Sequence, residues 1–363
     1  MMSPVSGDDR PILIVTPRVP QERVGALAAL AARAPVEVAT FEARAPHFSP
    51  SVDDPGVPLH RLTQRRIARL AGEPGRWRAV VAGTAGRTAL PGAWRAARQA
   101  GTPFVLWSAL WHDPSSPTHL LGRPLLHRIV RDADAVAAYG SHVAAHARGL
   151  GARSVHVAPQ AVDPAVWVDP PAARGADDET FRIVYVGRDA PGKGVEVLLV
   201  AWRQAKIHEA IGAELLLLGP PPAADGGLPG VRATGPVSPD EVRRRLDHAD
   251  VLCVPSVRTR TFVEPWGLVC NEALHRGVPV LATDAVGAAA GGLVRDGRNG
   301  RVVPAGQPMD LARALTDLAS DPVATRALGA AGRRDVAAFT FEAWADGMLA
   351  AVDSATRRSR DGW

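Results

Sequence analysis

The chain has 363 residues, of which 46% are hydrophobic and 22% charged, the composition of a soluble globular protein. This length is enough for two ordinary domains, each with a full core. The formal net charge of +5 is mild and diffuse, which argues against nucleic acid and leaves an anionic small molecule or a membrane surface as a partner.

The first residues, MMSPVSGDDRPILIV, combine an acidic pair with a short apolar run and predict a strand rather than a signal peptide. No apolar stretch of about 18 to 20 residues predicts a transmembrane helix. Two cysteines, Cys253 and Cys270, lie within predicted core elements and suggest no disulfide framework. We therefore expect a reduced, cytoplasmic protein.

Short β-branched segments alternate along the chain with helical segments rich in alanine and arginine. The predicted strands of the first half are PILIVTP, VEVATF, RAVVAG, PFVLWSA, ADAVAAYG and VHVAP. Those of the second half are FRIVYVG, AELLLLG, VRATG, DVLCVP, VPVLATD and GRVVPA. Continuous apolar strands with helices between them predict parallel sheets covered on both faces.

Two features of the first half have a structural and a functional interpretation. The segments RLTQRRIARL and LLGRPLLHRIVR are basic and amphipathic. They are either solvated helix faces or a place of peripheral contact with a membrane. The second alternative would put the protein at the inner face of that membrane. Asp132 and Asp134 imitate the D-x-D motif of metal sites, but their position between a helix and a strand favours a cap and a turn.

The segment VDPPAARGADDET, residues 168–180, is rich in Pro, Ala and Asp and has no periodicity, which predicts a linker. It separates an N-terminal domain over 1–167 from a C-terminal domain over 181–340. A last helix is predicted over 341–363, with Phe341, Trp344, Met348 and Leu349 on one face. In doubly wound sheets ligands bind beyond the carboxyl ends of the strands, so a cleft between the two domains is the expected site.

The stretch IVYVGRDAPGKGVEVLLVAW predicts a strand, a glycine-rich turn and a helix. The N–H groups and the dipole at such a helix start favour a phosphate, and Arg188 and Lys193 flank the turn. The turn has neither the Walker spacing nor G-x-G-x-x-G. An ordinary turn with two exposed cations is the alternative.

A second candidate anion site lies in FVEPWGLVCNEALHRGVPVLATD, residues 262–284. Its predicted helix begins near Gly267, Leu268 and Val269, whose N–H groups would be free to bind a diphosphate. Glu264 precedes that helix and Glu272 lies within it. Carboxylates accept hydrogen bonds in pairs, which suits sugar and ribose hydroxyls.

The segments VGRDAPGKG, ATGPVSPDEV, DVLCVPS, FVEPWGLVCNEALHRGVPVLATDAVG and LVRDGRNGRVVPAG, in this order, resemble the C-terminal half of the retaining GT-B glycosyltransferases of family 4. The resemblance covers roughly residues 181 to 340, and the two glutamates correspond to the E-x7-E motif of that family. The first half is similar mainly through RDADAVAAYGSHVAAHARGLGARSVHVAPQAVD. The fold implied is α/β of the GT-B type, with two doubly wound Rossmann-like domains facing a central cleft. The resemblance also implies that the last helix, 341–363, crosses back to the N-terminal domain.

The resemblance implies a role for each of these positions. Glu272 would hold the ribose hydroxyls, Glu264 would face the donor sugar, and Arg188 and Lys193 would hold the diphosphate. Backbone groups of Gly267, Leu268 and Val269 would bind the phosphate or the sugar, and the base would lie near Val237. The implied reaction moves a sugar from a nucleoside diphosphate sugar to an unidentified hydroxyl acceptor with retention, without a metal and without any other cofactor.

The N-terminal half departs from the family where acceptor recognition is expected. The loop after the first strand, PRVPQERVG, has no glycine before Gly25, so side chains of Arg18 or Gln21 would replace the usual backbone approach. His112 in WSALWHDP matches the histidine that members of the family place near the donor sugar, with a hydrogen-bonded loop histidine as the alternative. Trp107 and Trp111 are candidates for stacking on a sugar or for lining the core.

Three other activities remain open on the sequence alone. A sugar-nucleotide epimerase or a phosphorylase would keep the GT-B fold and change the reaction. A non-catalytic subunit that binds a nucleotide sugar is the third alternative. The identities of the donor base, the sugar and the acceptor, and the oligomeric state, do not follow from the sequence.

Overall fold

The computed structural model of the protein describes residues 8–41, 52–167 and 179–360. Contacts divide the chain into two units. Unit 1 comprises Met1–Asp163 together with Thr340–Trp363, and unit 2 comprises Pro164–Phe339. The first change of unit thus comes four residues before the predicted end of the N-terminal domain at 167. The predicted linker falls largely on 168–178, outside the described residues.

Unit 1 is built on a parallel sheet, as the apolar strand pattern predicts. Its described strands are β1 (Ile12–Thr16), β2 (Val36–Thr40), β3 (Leu59–Arg61), β4 (Ala79–Gly83), β5 (Phe104–Ser108), β6 (Ala135–Ala138) and β7 (Val155–Val157). Their order in the sheet is β3-β2-β1-β4-β5-β6-β7. The sequence analysis missed β3, a three-residue strand whose side chains are half-buried or exposed.

Helices cover both faces of this sheet. They are α1 (Val24–Ala31), α2 (Gln64–Ala71), α3 (Ala89–Gln99), α4 (Pro117–Asp132), α5 (Ser141–Gly149) and, from the end of the chain, α14 (Phe341–Arg360). In β1 the side chains from Ile12 to Val15 are all buried, because those on one face contact α1 and α14 and those on the other contact α2 and α3. This is why the strand has a continuous apolar run rather than an alternating pattern.

The last helix completes the core of unit 1. Its buried residues Phe341, Trp344, Ala345, Met348, Ala351, Val352 and Ala355 belong to the same cluster as residues of β1, β2 and α1. The Trp344 ring lies edge-on to the Trp107 ring, with the two centroids 5.7 Å apart. Arg78, 2% exposed, donates a hydrogen bond to Asp353 of this helix.

Unit 2 contains a second parallel sheet of the same kind. Its described strands are β8 (Arg182–Val186), β9 (Glu214–Leu218), β10 (Val231–Ala233), β11 (Val251–Val254), β12 (Val280–Thr283) and β13 (Gly300–Val303). Their order is β10-β9-β8-β11-β12-β13. The helices are α6 (Pro164–Trp167), α7 (Val195–Ala205), α8 (Ile207–Ile211), α9 (Pro239–Asp247), α10 (Val269–His275), α11 (Gly287–Ala290), α12 (Pro308–Ser320) and α13 (Pro322–Val336).

Local sequence signals explain where several of these helices begin. α9 begins at Pro239, which needs no N–H partner at that position, and the preceding Ser238 Oγ accepts from the Glu241 N–H at 3.2 Å. α13 begins in the same way at Pro322, after an Asp321 side chain that accepts from the Ala324 N–H. No helix within the described ranges combines the length and the apolarity that a membrane span requires.

Candidate functional site

The strand order of unit 2 creates a crevice beside β8. From β8 the chain passes to β9 and β10 on one side, and then returns to β11 on the other side. The loops that leave the carboxyl ends of β8 and β11 therefore diverge, and such a switch point is where doubly wound sheets bind ligands. Lys193 follows β8 and Glu264 follows β11, so the topology brings these two residues to the same place.

The turn after β8 is held close to the end of β11. Gly194 has a φ of +73°, and a Cβ atom there would lie 1.9 Å from the Pro255 carbonyl oxygen. Only glycine fits both the left-handed conformation and this close approach. The Tyr185 hydroxyl donates to the Arg188 carbonyl oxygen at 2.9 Å, so a buried ring of β8 fixes the beginning of the turn.

Lys193 and Glu264 form an ion pair at the switch point. The Lys193 ammonium donates to Glu264 Oε2 at 2.5 Å, and Glu264 is 7% exposed. The Ser256 hydroxyl donates to the same oxygen at 3.4 Å. A buried carboxylate needs such partners because its transfer out of water is costly.

The segment between Glu264 and α10 is fixed by hydrogen bonds at each step. The Gly287 N–H donates to the Glu264 carbonyl at 3.0 Å, and the Ala288 N–H donates to the Trp266 carbonyl at 2.8 Å. The Trp266 indole N–H donates to Asn271 Oδ1 at 2.7 Å, in the interior. These contacts fix the peptide groups ahead of the helix, although α10 itself has only seven residues.

The three predicted backbone donors lie at the start of α10. Gly267 has a φ of +87°, which favours glycine, and its carbonyl accepts from the Cys270 N–H at 2.9 Å. Leu268 is the N-cap residue and Val269 is the first residue of the helix. The N–H groups of a first helical turn have no partner within the helix, so these positions are suited to bind an anion.

The charged groups of the site act on one buried thiol. Burial raises the pKa of Cys270, the Glu264 and Glu272 carboxylates raise it further, and the Lys193 ammonium lowers it. Glu272, half-buried on α10, is therefore within electrostatic reach of the same point as the ion pair. The two glutamates and Lys193 are brought together in unit 2.

Arg188 is linked to the same site through Tyr185. Burial raises the pKa of the Tyr185 hydroxyl, Glu264 raises it further, and Arg188 lowers it. Tyr185 thus lies within reach of both Arg188 and Glu264. The Arg188 side chain is exposed, as expected for a group that would meet a ligand from solvent.

Val237 lies in the loop that follows β10, two strands from β8. The Gly235 N–H donates to the Pro220 carbonyl at 2.7 Å, and the Gly235 carbonyl accepts from the Gly219 N–H at 2.9 Å. The Gly187 N–H in turn donates to the Leu218 carbonyl at 3.0 Å. The loops after β8, β9 and β10 are therefore joined in series at one edge of the sheet, with Val237 at the far end.

His112 belongs to unit 1, in the loop that follows β5, and its side chain is half-buried. The next residue, Asp113, accepts from His127 Nε2 at 2.9 Å and lies 3.6 Å from His146 Nε2. Burial lowers the pKa of His146, while Asp113 raises it. The loop that carries His112 is thus attached to α4 through His127 and to α5 through His146.

The residues Tyr185, Ser256 and Thr283 were missed by the sequence analysis. Thr283 Oγ1 donates to the Ser256 carbonyl at 2.5 Å, while Ser256 and Tyr185 act on the ion pair and the turn as described above. Each of the three lies within or directly after a predicted strand, and this position at a strand end was the only feature of the sequence that could have indicated a role in the site. The sequence does not indicate which loop each hydroxyl group contacts.

The two aspartates of the D-x-D pattern have structural partners. The Asp134 carboxylate accepts from the Phe104 N–H at 2.8 Å, and Asp132 accepts from Arg128 Nε at 3.3 Å. Burial raises the pKa of Asp134. Within the described ranges no group of three or more His, Cys, Asp and Glu side chains is arranged to hold a metal ion.

Comparisons with known proteins agree with this geometry. The family model described as "Glycosyl transferases group 1" matches residues 180–321, which contain the switch point of unit 2. A D-inositol 3-phosphate glycosyltransferase of Rhodococcus opacus is 32% identical over 200 residues, or 51% of this chain and 43% of the relative. The aligned part of the chain thus spans less than half the length of that relative.

A second curated relative is aligned over more of its length. The GDP-mannose-dependent alpha-(1-6)-phosphatidylinositol monomannoside mannosyltransferase of Mycobacterium tuberculosis is 32% identical over 262 residues, or 67% of each chain. Among solved structures, Anabaena HepE in complex with UDP and glucose has a TM-score of 0.70 and 18% identity. That superposition covers 94% of this chain and 98% of HepE, and it establishes the fold.

The fold predicted from the strand pattern is confirmed: both units have doubly wound parallel sheets, and the structural neighbours are GT-B glycosyltransferases. The family match, the alignment with the mycobacterial relative and the fold agree. The chain belongs to the group 1 glycosyl transferase family and has the GT-B fold.

Proposed function

We propose that the protein transfers a sugar from a nucleoside diphosphate sugar to a hydroxyl group of an acceptor, with retention of configuration and without a metal ion. The observation that carries the proposal is the Lys193–Glu264 pair at the switch point of unit 2, together with Arg188 and Glu272, each of which acts on a residue that the pair also affects. Cations and carboxylates grouped in this way suit a ligand that has both a diphosphate and hydroxyl-rich rings.

Each residue has a defined role in this proposal. Arg188 and Lys193 bind the diphosphate, together with the N–H groups of Gly267, Leu268 and Val269 at the start of α10. Glu272 accepts hydrogen bonds from the ribose hydroxyls, and Glu264 accepts from the donor sugar. Val237 lies beside the base. His112 is assigned to the donor sugar on the family resemblance.

The proposed reaction breaks the bond between the anomeric carbon and the diphosphate oxygen. The acceptor oxygen forms its bond to the same carbon on the same face, and its proton passes to the departing diphosphate. Negative charge grows on that diphosphate, so cations already in place stabilise the transition state more than the ground state. Two side-chain cations and a helix start supply this stabilisation without a metal.

Names and ligands of relatives support a nucleotide sugar as the donor and a polyol as the acceptor. HepE was solved with UDP, and the mycobacterial mannosyltransferase is named as dependent on GDP-mannose. The acceptors in the names of the two curated relatives are an inositol phosphate and a phosphatidylinositol monomannoside. We infer an acceptor of this chemical class for the present chain.

The first test measures the binding of UDP and GDP to the full chain by titration calorimetry, before and after Glu272→Ala. A hydrogen bond to a charged group contributes about 1.5–3 kcal/mol, so we expect the better ligand to bind roughly tenfold or more weakly. Glu209→Ala is the matched control, because Glu209 is an exposed carboxylate on α8 of the same unit. Unchanged affinity in a folded Glu272→Ala protein would rule out the ribose assignment.

A product assay separates the proposed reaction from its alternatives. A transferase consumes the donor sugar only when an acceptor is present, and the anomeric configuration of its product is read by NMR. An epimerase would change the donor without an acceptor, and a phosphorylase would require free phosphate. A protein that binds UDP or GDP and changes no donor under any of these conditions would be a non-catalytic subunit. Full activity in the presence of EDTA is the expected result for metal independence.

A further inference from the structure

Unit 2 has a cavity of about 600 Å³ beside the amino ends of β8 and β9, a volume within the usual range for small-molecule sites. Its wall includes five ionisable side chains, which are Arg182, Glu214, Arg232, Arg245 and His248. The Lys193–Glu264 pair lies instead beyond the carboxyl ends of β8 and β11. Because β8 has five residues and is therefore about 17 Å long, the cavity is separate from that pair.

The cavity exists because one face of this part of the sheet is incompletely covered. Leu215 and Leu217 of β9 are buried in the core that α7 and α12 close. Leu216 lies between them, so its side chain points to the opposite face, where it is half-buried. The register pairs Leu216 with Val184 of β8 and with Arg232 of β10, which places these three side chains on one face. Leu216 thus forms an apolar floor of the cavity.

The first sign of a ligand is the charge that surrounds this floor. Arg232 makes no ion pair and no hydrogen bond with any other described residue. Arg245 donates to Glu241 Oε1 through Nε at 2.7 Å, and its two terminal nitrogens have no protein acceptor within the described ranges. Arg244 donates to the same carboxylate, so Glu241 serves two guanidiniums. Free guanidinium nitrogens are the donors that grip phosphate oxygens in pairs.

The second sign is a carboxylate in the same wall. Arg182 Nε donates to Glu214 Oε2 at 3.2 Å, and the Glu214 side chain has 50% of its surface in solvent. A carboxylate has several acceptor positions, so Glu214 can accept from hydroxyl groups of a ligand while it is bonded to Arg182. With three guanidiniums against one carboxylate, the wall keeps an excess of positive charge. Such a wall around an apolar floor suits an anion that also has a ring with hydroxyl groups.

We propose that this cavity binds a sugar phosphate, with Arg232 and Arg245 on the phosphate and Glu214 on the hydroxyl groups. The C–H groups of the sugar ring pack on Leu216. The inference goes beyond the proposed function, because the groups assigned there to the donor lie at the other end of the strands. Sugars phosphorylated at the anomeric carbon and sugars phosphorylated at another carbon share this chemistry.

The test uses titration calorimetry of the full chain with four probes: glucose 1-phosphate, glucose 6-phosphate, inorganic phosphate and glucose. We expect at least one of the two sugar phosphates to bind more tightly than either inorganic phosphate or glucose, because only a sugar phosphate meets the arginines and Glu214 together. The comparison of the two sugar phosphates identifies the position of the phosphate that the cavity accepts.

Arg232→Gln should weaken the better sugar phosphate roughly tenfold, since it removes a hydrogen bond to a charged group. Arg232→Lys should weaken it less, because lysine keeps the charge and loses only the forked geometry. Arg245→Gln is the second variant and should act in the same direction. Arg244→Gln is the matched control, because Arg244 is exposed on the same helix and bonded to the same Glu241 but lies outside the cavity wall.

The replacement of Arg232 should leave the melting temperature unchanged, because this side chain is exposed. The proposal is overturned if neither sugar phosphate binds more tightly than inorganic phosphate and glucose. It is also overturned if the Arg232→Gln and Arg245→Gln proteins bind the sugar phosphate like the wild type, or if Arg244→Gln weakens it equally.

The Glu272→Ala protein separates this inference from the proposed function. It should bind the sugar phosphate with wild-type affinity, and a loss there in the folded protein would place the probe at the donor site and overturn the inference. A wild-type protein that binds neither UDP nor GDP would contradict the proposed function, while the arginine variants would still decide the cavity.

Discussion

Two side chains 71 positions apart in the sequence determine the character of the candidate site: Lys193 and Glu264. Each would be costly to bury alone, and together they hold one cation and one anion at the end of β8. Ser256 and Tyr185 fix the carboxylate and the turn around them. A ligand that enters this crevice would therefore meet groups that are already positioned, which lowers the cost of ordering them on binding.

His275, at the end of α10, makes the stability of the protein depend on pH. It is 7% exposed, and burial together with the charge of Arg333 lowers its pKa to about 4. The pKa in the unfolded chain is about 6.5, so between these values the unfolded state binds the proton more readily. The contribution of neutral His275 to the free energy of unfolding is therefore fully present above about pH 6.5, and it is lost as the pH falls towards 4. The loss is on the order of 3 kcal/mol.

We expect His275→Gln to reduce the difference in unfolding free energy between pH 7.5 and pH 4.5, measured by urea denaturation. His119→Gln is the control, because His119 is an exposed histidine of α4. A wild-type pH dependence in His275→Gln would show that another group is responsible.

Among the elements, the first turns of α4 differ from the other helices of unit 1. Residues 117–124 are exposed, and Leu120 and Leu121 have 44% and 86% of their surfaces in solvent. Arg123, Arg128 and Arg131 on the same helix are exposed as well. Apolar side chains next to arginines are typical of a helix that lies on an anionic lipid surface.

We expect the protein to sediment with vesicles of phosphatidylglycerol, and less with vesicles of phosphatidylcholine. Leu120→Ser with Leu121→Ser should reduce the bound fraction several-fold, since both changes remove apolar area from the lipid contact. Arg326→Gln with Arg334→Gln on α13, where both arginines are exposed, is the control for a general loss of positive charge. Equal sedimentation with both kinds of vesicle, or no effect of the leucine changes, would contradict the lipid contact. The first turns of α4 would then be a solvated helix face.

At the scale of the whole molecule, the two units depend differently on the end of the chain. The buried face of α14 belongs to the core of unit 1, whereas unit 2 is formed by one continuous segment with a core of its own. Deletion of residues 340–363 should therefore unfold unit 1, because Trp344, Met348 and Val352 are lost from its core together. Unit 2 should retain its affinity for UDP or GDP.

Limited proteolysis with mass spectrometry and calorimetry on the same sample would check this expectation. Cleavage should begin within residues 8–163, while fragments from unit 2 persist. Single replacement of Trp344 by Phe, which keeps most of the ring contacts, is the matched control and should leave both units folded. Loss of nucleotide binding in the deletion variant would show that unit 2 needs the last helix too.

The sequence by itself determined the fold class, the predicted strands and the identity of the candidate residues. Continuous apolar strands can only be buried between two layers of helices, so the α/β class follows from local pattern alone. The order of the motifs after residue 181 was enough to predict that Arg188, Lys193, Glu264 and Glu272 belong to one binding site for a nucleotide sugar. β3 was missed because three half-buried or exposed residues at a sheet edge leave no apolar run to detect.

Only the tertiary structure decided which of these residues meet and what else surrounds them. The Lys193–Glu264 pair depends on β8 and β11 being neighbours, and pairing between distant strands is not encoded in the spacing of either segment. The cavity beside Arg232 depends in the same way on β8, β9, β10 and α9. Local periodicity specifies which face of an element is buried; the partner across the interface is selected by packing among segments that lie far apart in the chain.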